Sequence, residues 1–206
     1  MSPSKTRTAR RQEIVFAAWH LVAEFGIDAV RIQDIAEKVG TSTGTIHYYF
    51  RDKDDVLAAA LEYSAKRFAA RKASQLPRAG SQIDRILALV DAQVPSTATW
   101  NEWAVWIELW AEATRQDRFK TLNEEVYIGW KGMIRDLVIA GQDSKEFSAE
   151  VDAAGFATDF IAMMDGLGIQ TLLNGPGNST EYMRSRLTRF ARRELLPPEK
   201  ENSLAS

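Results

Sequence analysis

The chain has 206 residues, of which 45% are apolar and 26% are charged, and its formal net charge is −2. This composition is typical of a globular protein, and such a charge does not by itself indicate a nucleic-acid binder. The sequence has no cysteine and two histidines, which excludes disulfides and thiolate metal sites and disfavours a histidine metal site. We therefore expect a cytoplasmic protein that carries neither a metal nor another cofactor.

The N-terminal segment is basic and polar. Lys5, Arg7, Arg10 and Arg11 all precede the first acidic residue, Glu13. These cations belong either to a solvated, frayed terminus or to an arm that follows DNA phosphates. The segment lacks the apolar stretch of a signal peptide, and no run of about 18 apolar residues occurs, so we expect no membrane-spanning helix.

Every predicted element is a helix, because no segment shows sustained alternation of apolar and polar residues. The first helix is predicted over residues 9–25, with Gly26 at its end. A second over 32–39 ends at Gly40, a third runs from a Thr41 or Ser42 cap to Phe50, and Asp52 caps a fourth over 53–75. Five more are predicted over residues 81–94, 99–115, 117–140, 148–174 and 179–195. Gly141, the turn at 174–177 and Pro197-Pro198 separate or end them.

Residues 31–50, RIQDIAEKVGTSTGTIHYYF, form two short helices joined by a turn at Gly40. This is the layout of a helix-turn-helix, whose second helix enters the DNA major groove. The second helix is rich in hydroxyls and polar ring atoms that suit phosphates and bases, from Ser42 to Tyr49. An ordinary pair of core helices is the alternative, which so many polar groups disfavour.

The chain resembles the TetR family at Gly26, Ile35-Ala36, the run Gly40-Thr41-Ser42-Thr43-Gly44-Thr45-Ile46-His47-Tyr48-Tyr49-Phe50, and Lys53. The resemblance implies an all-helical homodimer on two operator half-sites. It implies that Gln33, Thr43 and His47 face bases or backbone in the groove, and that Ser42, Thr45, Tyr48 and Lys53 hold phosphates. Many relatives have Thr-Thr at Val30-Arg31 and Lys at Thr43. We expect Arg31 to bind a phosphate or to read a base.

Tryptophans concentrate in the segment 99–116, where Trp100, Trp103, Trp106 and Trp110 share one predicted helix, and Trp130 follows on the next. Aromatic stripes at helical spacing form either a packed core or the wall of a pocket for a cation, which indole faces attract. Asp165 is a lone acid in an apolar helical stretch and requires a partner, whether an arginine, a helix cap or a ligand.

Other residues of the Trp-rich helix have simpler expected places. Ile107 completes an apolar stripe that starts at Trp103. Glu108, Glu112, Asn101 and Arg115 are expected on its solvated face.

The Trp-rich helix and Asp165–Gln170 resemble the C-terminal domain of the BetI-like subgroup of the TetR family, whose founding members respond to choline. This implies a small-molecule effector that is an amine or a quaternary ammonium cation, held by Trp103, Trp106, Trp110, Trp130 and Asp165. An apolar or acyl ligand between the same aromatic walls remains the competing hypothesis.

The last two long helices are predicted to form a dimer seam, with packing inside one chain as the alternative. The seam residues are Val151, Ala154, Gly155, Thr158, Ile161, Ala162 and Leu172, followed by Tyr182, Met183, Leu187, Phe190 and Leu195.

These features predict an all-α protein with an N-terminal three-helix DNA-binding domain over residues 1–55. A larger helical ligand-binding and dimerisation domain follows over 56–198, and a polar tail over 199–206 is expected to be disordered. The expected function is that of a repressor that binds a palindromic operator as a homodimer and is released by a ligand that moves the fourth helix. The sequence offers no catalytic constellation, so an enzyme is not expected. A non-specific architectural DNA binder is a weaker hypothesis, and an activator remains an alternative.

Overall fold

The computed structural model describes residues 7–75, 80–175, 177 and 179–197, and over these ranges it contains nine α-helices and no strand. This confirms the predicted all-α fold. The helices are α1 (Arg7–Phe25), α2 (Ile32–Val39), α3 (Thr43–Tyr49), α4 (Lys53–Gln75), α5 (Gln82–Gln93), α6 (Trp100–Ala113), α7 (Asp117–Asp143), α8 (Ala153–Leu172) and α9 (Thr180–Leu195). Within the described ranges, no helix combines the length and the apolar character needed to cross a bilayer.

The described residues form two compact units, and the division falls inside α4 and α7. The first unit runs to Phe68 and also contains Trp100–Glu124, and the second contains Ala69–Thr99 and the chain from Glu125 onward. The Trp-rich helix α6 therefore belongs to the same unit as the helix-turn-helix. The boundary that we predict after residue 55 stays a prediction, and the tail 199–206 and Lys5 lie outside the described residues.

The core of the first unit is built around α1, which packs against both α2 and α6. Ile14 and Ala18 of α1 are fully buried, as are Ile35 of α2 and Ile46 of α3. Burial of an aliphatic side chain of this size contributes about 1.5–3 kcal/mol. Helix α1 is thus the support on which the helix-turn-helix rests.

The second unit packs α9 against α5 and α8. The rings of Phe156 and Phe160 stack at a centroid distance of 5.4 Å, and Phe190 of α9 stacks on Phe156 at 5.6 Å. Part of the predicted dimer seam lies in this core: Ile161, Met183, Leu187 and Leu195 are all at most 1% exposed. The placement of these four residues at a seam was wrong, because they complete the inside of the unit itself.

Two predicted helix boundaries differ from the structure by three residues or more, and one glycine explains the first. Helix α7 continues through Gly141 to Asp143 instead of ending at residue 140. The ring of Phe147 lies so close to Gly141 that a Cβ atom there would overlap it, so the glycine permits a close contact and does not end the helix. Helix α8 begins at Ala153, five residues later than predicted, where the Asp152 carboxylate accepts a hydrogen bond from the Ala154 N–H at 3.1 Å.

Candidate functional site

Helix α2 is fixed at both ends by local hydrogen bonds. The Arg31 N–H donates to the Asp34 carboxylate at 2.8 Å before the first turn. At the other end the Gly40 N–H donates to the Glu37 carbonyl at 3.0 Å. The side chains of Arg31 and Gln33 both remain exposed, as residues that contact DNA must be.

Helix α3 exposes one polar face and buries the opposite one. Ser42 caps the helix, since its hydroxyl accepts a hydrogen bond from the Thr45 N–H at 3.2 Å. Ile46 is fully buried and anchors the helix. Ser42, Thr43, His47 and Tyr48 are exposed and Thr45 is half-buried. The structure therefore gathers these predicted DNA-binding residues on one short, capped helix, although Ser42 and Thr45 already bond to each other.

Arg7, Arg10 and Arg11 lie on α1 and not on an extended arm. The guanidinium carbon of Arg7 lies 5.4 Å from the centre of the Tyr48 ring, and that of Arg11 lies 4.7 Å from the centre of the Phe50 ring. Arg10 forms an ion pair with Glu13 at 2.8 Å. These contacts place two cations beside α3, where they add positive charge next to its polar face.

Lys53, a predicted phosphate-binding residue, already has a contact within the protein. Its Nζ donates to the Asp28 carbonyl in the loop between α1 and α2, at 3.2 Å. A lysine ammonium has three donors, so this bond leaves others for a phosphate. Asp55 lies in the first turn of α4, and a hydrogen bond from Arg51 holds the pKa of its carboxyl below its ordinary value. The Asp55 carboxyl therefore stays ionised.

The tryptophans of α6 form a cluster within the first unit. The ring of Trp110 lies 6.5 Å from that of Trp103 and 6.3 Å from that of Trp106. Trp103 and Trp106 are 4% and 8% exposed, whereas Trp100 is 51% exposed. Ile107 is 36% exposed and so does not belong to the buried stripe, contrary to the prediction.

The acidic residues of α6 turn inward, which the sequence analysis did not predict. Glu102 and Glu112 are 3% and 5% exposed. Arg67 of α4 lies 3.4 Å from Glu102, and Arg115 donates to Glu112 at 2.6 Å. Glu108 is half-buried, and its carboxylate accepts a hydrogen bond from the Ile27 N–H at 3.0 Å. The expectation that Glu108 and Glu112 lie on a solvated face was therefore wrong.

A signal for Glu102 and Glu112 was present in the sequence. Both lie at helical spacing from Val105 and Leu109, which are 1% exposed, so the four residues share one face of α6. The charge of the two glutamates concealed this pattern, because acids are rarely buried unless they are paired.

The remaining predicted effector residues belong to the second unit. Trp130 is 6% exposed and Asp165 is half-buried. The Tyr127 hydroxyl donates to the Asp165 carboxylate at 2.5 Å, so a phenol on α7 is a partner of Asp165. Sequence reasoning missed Tyr127, which lies one helical turn before Trp130. Over the part of the chain that the structure describes, no group of histidine, aspartate and glutamate side chains could hold a metal ion.

Two segments of the chain match known protein families. Residues 14–60 match bacterial regulatory proteins of the tetR family. Residues 82–196 match the C-terminal domain of BetI-type transcriptional repressors. The first match contains the helix-turn-helix, and the second begins at α5 and continues past α9.

Individual relatives agree with these matches over nearly the whole chain. The HTH-type transcriptional regulator BetI of Cronobacter sakazakii is 28% identical over 202 residues, which cover 93% of this chain and 95% of the relative. The HTH-type transcriptional regulator PksA of Bacillus subtilis is 25% identical and covers 80% of each chain. A crystal structure of a putative transcriptional regulator from Saccharomonospora viridis, solved in complex with choline, is 34% identical with a TM-score of 0.86. That comparison covers 93% of this chain and all of the other.

Proposed function

The chain belongs to the TetR family of transcriptional regulators, with a BetI-type C-terminal domain, and we propose that it is a cytoplasmic repressor released from DNA by a small organic cation. As a member of this family of regulators it is not an enzyme. The observation that carries the proposal is the exposed polar face of α3, which is capped by Ser42 and anchored by Ile46.

For DNA binding, we assign base or groove-backbone contacts to Gln33, Thr43 and His47. We assign phosphate contacts to Ser42, Thr45, Tyr48 and Lys53. Arg31 is a further phosphate contact, at a position where many relatives have a hydroxyl. The exposure of Arg31, Gln33, Thr43, His47 and Tyr48 supports this assignment. A recognition helix contributes few base contacts alone, so a second copy is needed at about 34–36 Å, one turn of DNA away.

A homodimer supplies that second copy, and α8 offers a surface for it. Ala154, Thr158, Ala162 and Gly166 are exposed at every fourth position, so they form a ridge of small side chains. Such a ridge lets a second helix approach closely. The twofold symmetry of the dimer would match a palindromic operator.

For the effector, we propose choline or a similar quaternary ammonium or amine. The Saccharomonospora viridis regulator was crystallised with choline, and indole faces such as those of Trp103, Trp106, Trp110 and Trp130 attract cations. The buried Nε1–H of Trp110 donates to no acceptor among the described residues, and a ligand oxygen would satisfy it. Trp130 and Asp165 both belong to the second unit, and there the Asp165 carboxylate would balance the positive charge of a cation.

The effector acts by shifting a population between two states of the dimer. The ligand-free state holds the recognition helices at operator spacing, and the ligand stabilises a state that does not. The ligand and DNA must then weaken each other by the same factor.

The proposal is tested by selecting an operator from a random DNA pool and measuring its affinity for the full-length protein with and without ligand. We expect choline chloride to weaken operator binding, and its uncharged carbon analogue 3,3-dimethylbutan-1-ol to do so far less. Spermidine and octanoate extend the test to polyamines and acyl compounds. If octanoate binds and releases the operator while choline does neither, the cation hypothesis is wrong and the acyl hypothesis replaces it.

Asp165→Asn tests the charge of the effector directly. The variant should bind choline at least tenfold more weakly while its affinity for operator DNA without ligand stays unchanged. Asp159→Asn is the matched control, because Asp159 lies on the same helix and is exposed. Equal choline affinity in the two variants would remove Asp165 from the proposed site.

A further inference from the structure

One contact joins α6 directly to the loop that leads into the helix-turn-helix. The carboxylate of Glu108 accepts a hydrogen bond from the Ile27 backbone N–H at 3.0 Å, across 81 positions of sequence. Both residues belong to the first unit. Glu108 lies on α6 between Trp106 and Trp110, so the same short stretch of helix carries aromatic and acidic groups.

The loop is shaped to receive this carboxylate. Gly26, directly after α1, has a φ of +80°, which L side chains rarely adopt. A Cβ atom at Gly26 would also lie 3.2 Å from the Glu108 carboxylate. Glycine thus serves two needs at this position, the backbone turn and the space for Glu108.

The loop also determines where α2 starts. The side chains of Ile27 and Val30 are 5% and 1% exposed, so they anchor the loop in the core of the unit. On its outer side the Asp28 carbonyl accepts the hydrogen bond from Lys53. The loop is therefore held by α6 at Ile27 and by the first residue of α4 at Asp28.

We propose that Glu108 is a positioning residue for DNA binding: its carboxylate fixes the loop at residues 26–28 and thereby holds α2, α3 and Lys53 in the arrangement that fits the operator. A backbone N–H turned away from water needs an acceptor, and an ionised acceptor forms a stronger hydrogen bond than a neutral one. Glu108 itself touches no DNA in this proposal. It acts through the loop.

The same contact gives α6 a way to transmit the presence of a ligand, a step that rests on the proposed function. A cation bound against Trp106 or Trp110 would shift the adjacent turn of α6, and the Glu108 carboxylate would move relative to the Ile27 N–H. The loop would then lose its hydrogen bond and the DNA-binding helices their fixed position.

The experiment compares Glu108→Ala with Glu108→Gln in the full-length protein without any effector. The glutamine amide oxygen still accepts a hydrogen bond, whereas alanine offers none. We expect Glu108→Ala to bind the selected operator about tenfold more weakly than wild type, as for the loss of a hydrogen bond to a charged group. Glu108→Gln should recover most of that loss. Affinity for scrambled DNA, and the slope of affinity against salt, should change little in either variant.

Glu112→Ala is the matched control, because Glu112 lies one turn further along α6 and donors three and four residues away satisfy it. Glu112 is also more buried than Glu108. If loss of stability alone weakened DNA binding, this variant would be affected at least as strongly as Glu108→Ala.

Hydrogen exchange of the peptide that contains the Ile27 amide provides a second measurement. Protection should fall in Glu108→Ala and persist in Glu108→Gln and Glu112→Ala. Unchanged or tighter operator binding by Glu108→Ala, or equal exchange in wild type and Glu108→Ala, overturns the inference. These comparisons use no ligand, so an absence of any choline effect on wild type would refute the proposed effector separately.

Discussion

Helices α3 and α6 both carry aromatic rings and polar groups, but they place them in opposite ways. Tyr48 of α3 is 66% exposed, whereas Trp103 and Trp106 of α6 are 4% and 8% exposed. The Ser42 hydroxyl caps α3 itself, whereas the acids of α6 reach other helices and loops. A helix that meets an outside partner can be recognised from what it exposes, whereas a helix that connects parts of its own fold is recognised from what it buries.

The largest expected effect is a difference in unfolding free energy between variants of two tryptophans on α6. Trp103→Ala should lower the free energy of unfolding by about 3–5 kcal/mol, because it removes a buried indole and leaves a cavity. Trp100→Ala removes the same side chain from an exposed position of the same helix, and its effect should stay within about 0.5 kcal/mol. Urea unfolding of both variants at one protein concentration checks this. Equal losses would mean that the Trp103 ring lines open space and is not packed.

DNA binding should respond to α2 and not to the distal part of α4. Gln33→Ala should cost about 1–3 kcal/mol at one operator position. Arg31→Ala should weaken binding to all sequences and reduce the salt slope by about 1. Lys66→Ala, a cation further along α4, is the control and should change neither quantity. A titration on operator and scrambled DNA decides, and an equal loss on both for Gln33→Ala would exclude base reading by that residue.

Loss of the cap of α3 should have a smaller effect, and we expect it to appear in the free energy of unfolding. Ser42→Ala removes the acceptor of the Thr45 N–H and should cost about 1 kcal/mol. Thr43→Ala, at the next position, removes an exposed hydroxyl that caps nothing and should leave the unfolding free energy unchanged. Thermal unfolding of the two variants distinguishes them. A larger loss for Thr43→Ala would show that the hydroxyls of α3 have other partners within the protein.

The smallest expected effect is a pH dependence of the unfolding free energy, which we attribute to His20 of α1. Burial, and then the charges of Lys38 and Arg67, lower the pKa of His20 below its ordinary value of 6.5, while Glu24 acts in the opposite direction. The unfolded chain therefore binds more protons than the folded chain just below pH 6.5, so the unfolding free energy should rise with pH through this range. Urea unfolding between pH 5 and pH 8 measures the rise. His20→Gln should flatten it, and an unchanged slope in that variant would assign the effect to other groups.

Much of α2, α3 and the fourth helix could be predicted from the sequence. The bounds of α2 and α4 agree with those predicted, because caps and breakers such as Asp52, Gly40 and Ser42 act on residues within one turn. The later helices were less predictable. Gly141 was interpreted as an end of α7, but it accommodates the Phe147 ring, which no local pattern reveals.

The order of the helices and the presence of a helix-turn-helix with a polar recognition face can be predicted from the amino-acid sequence, since both depend on spacing and capping over a few residues. Three features appear only in the folded chain: α6 belongs to the same unit as that motif, Tyr127 is a partner of Asp165, and Glu108 bonds to the Ile27 N–H across 81 positions of sequence. The physical reason is that an acid on an amphipathic helix looks solvated in the sequence. Whether it is solvated depends on donors that folding brings from distant parts of the chain.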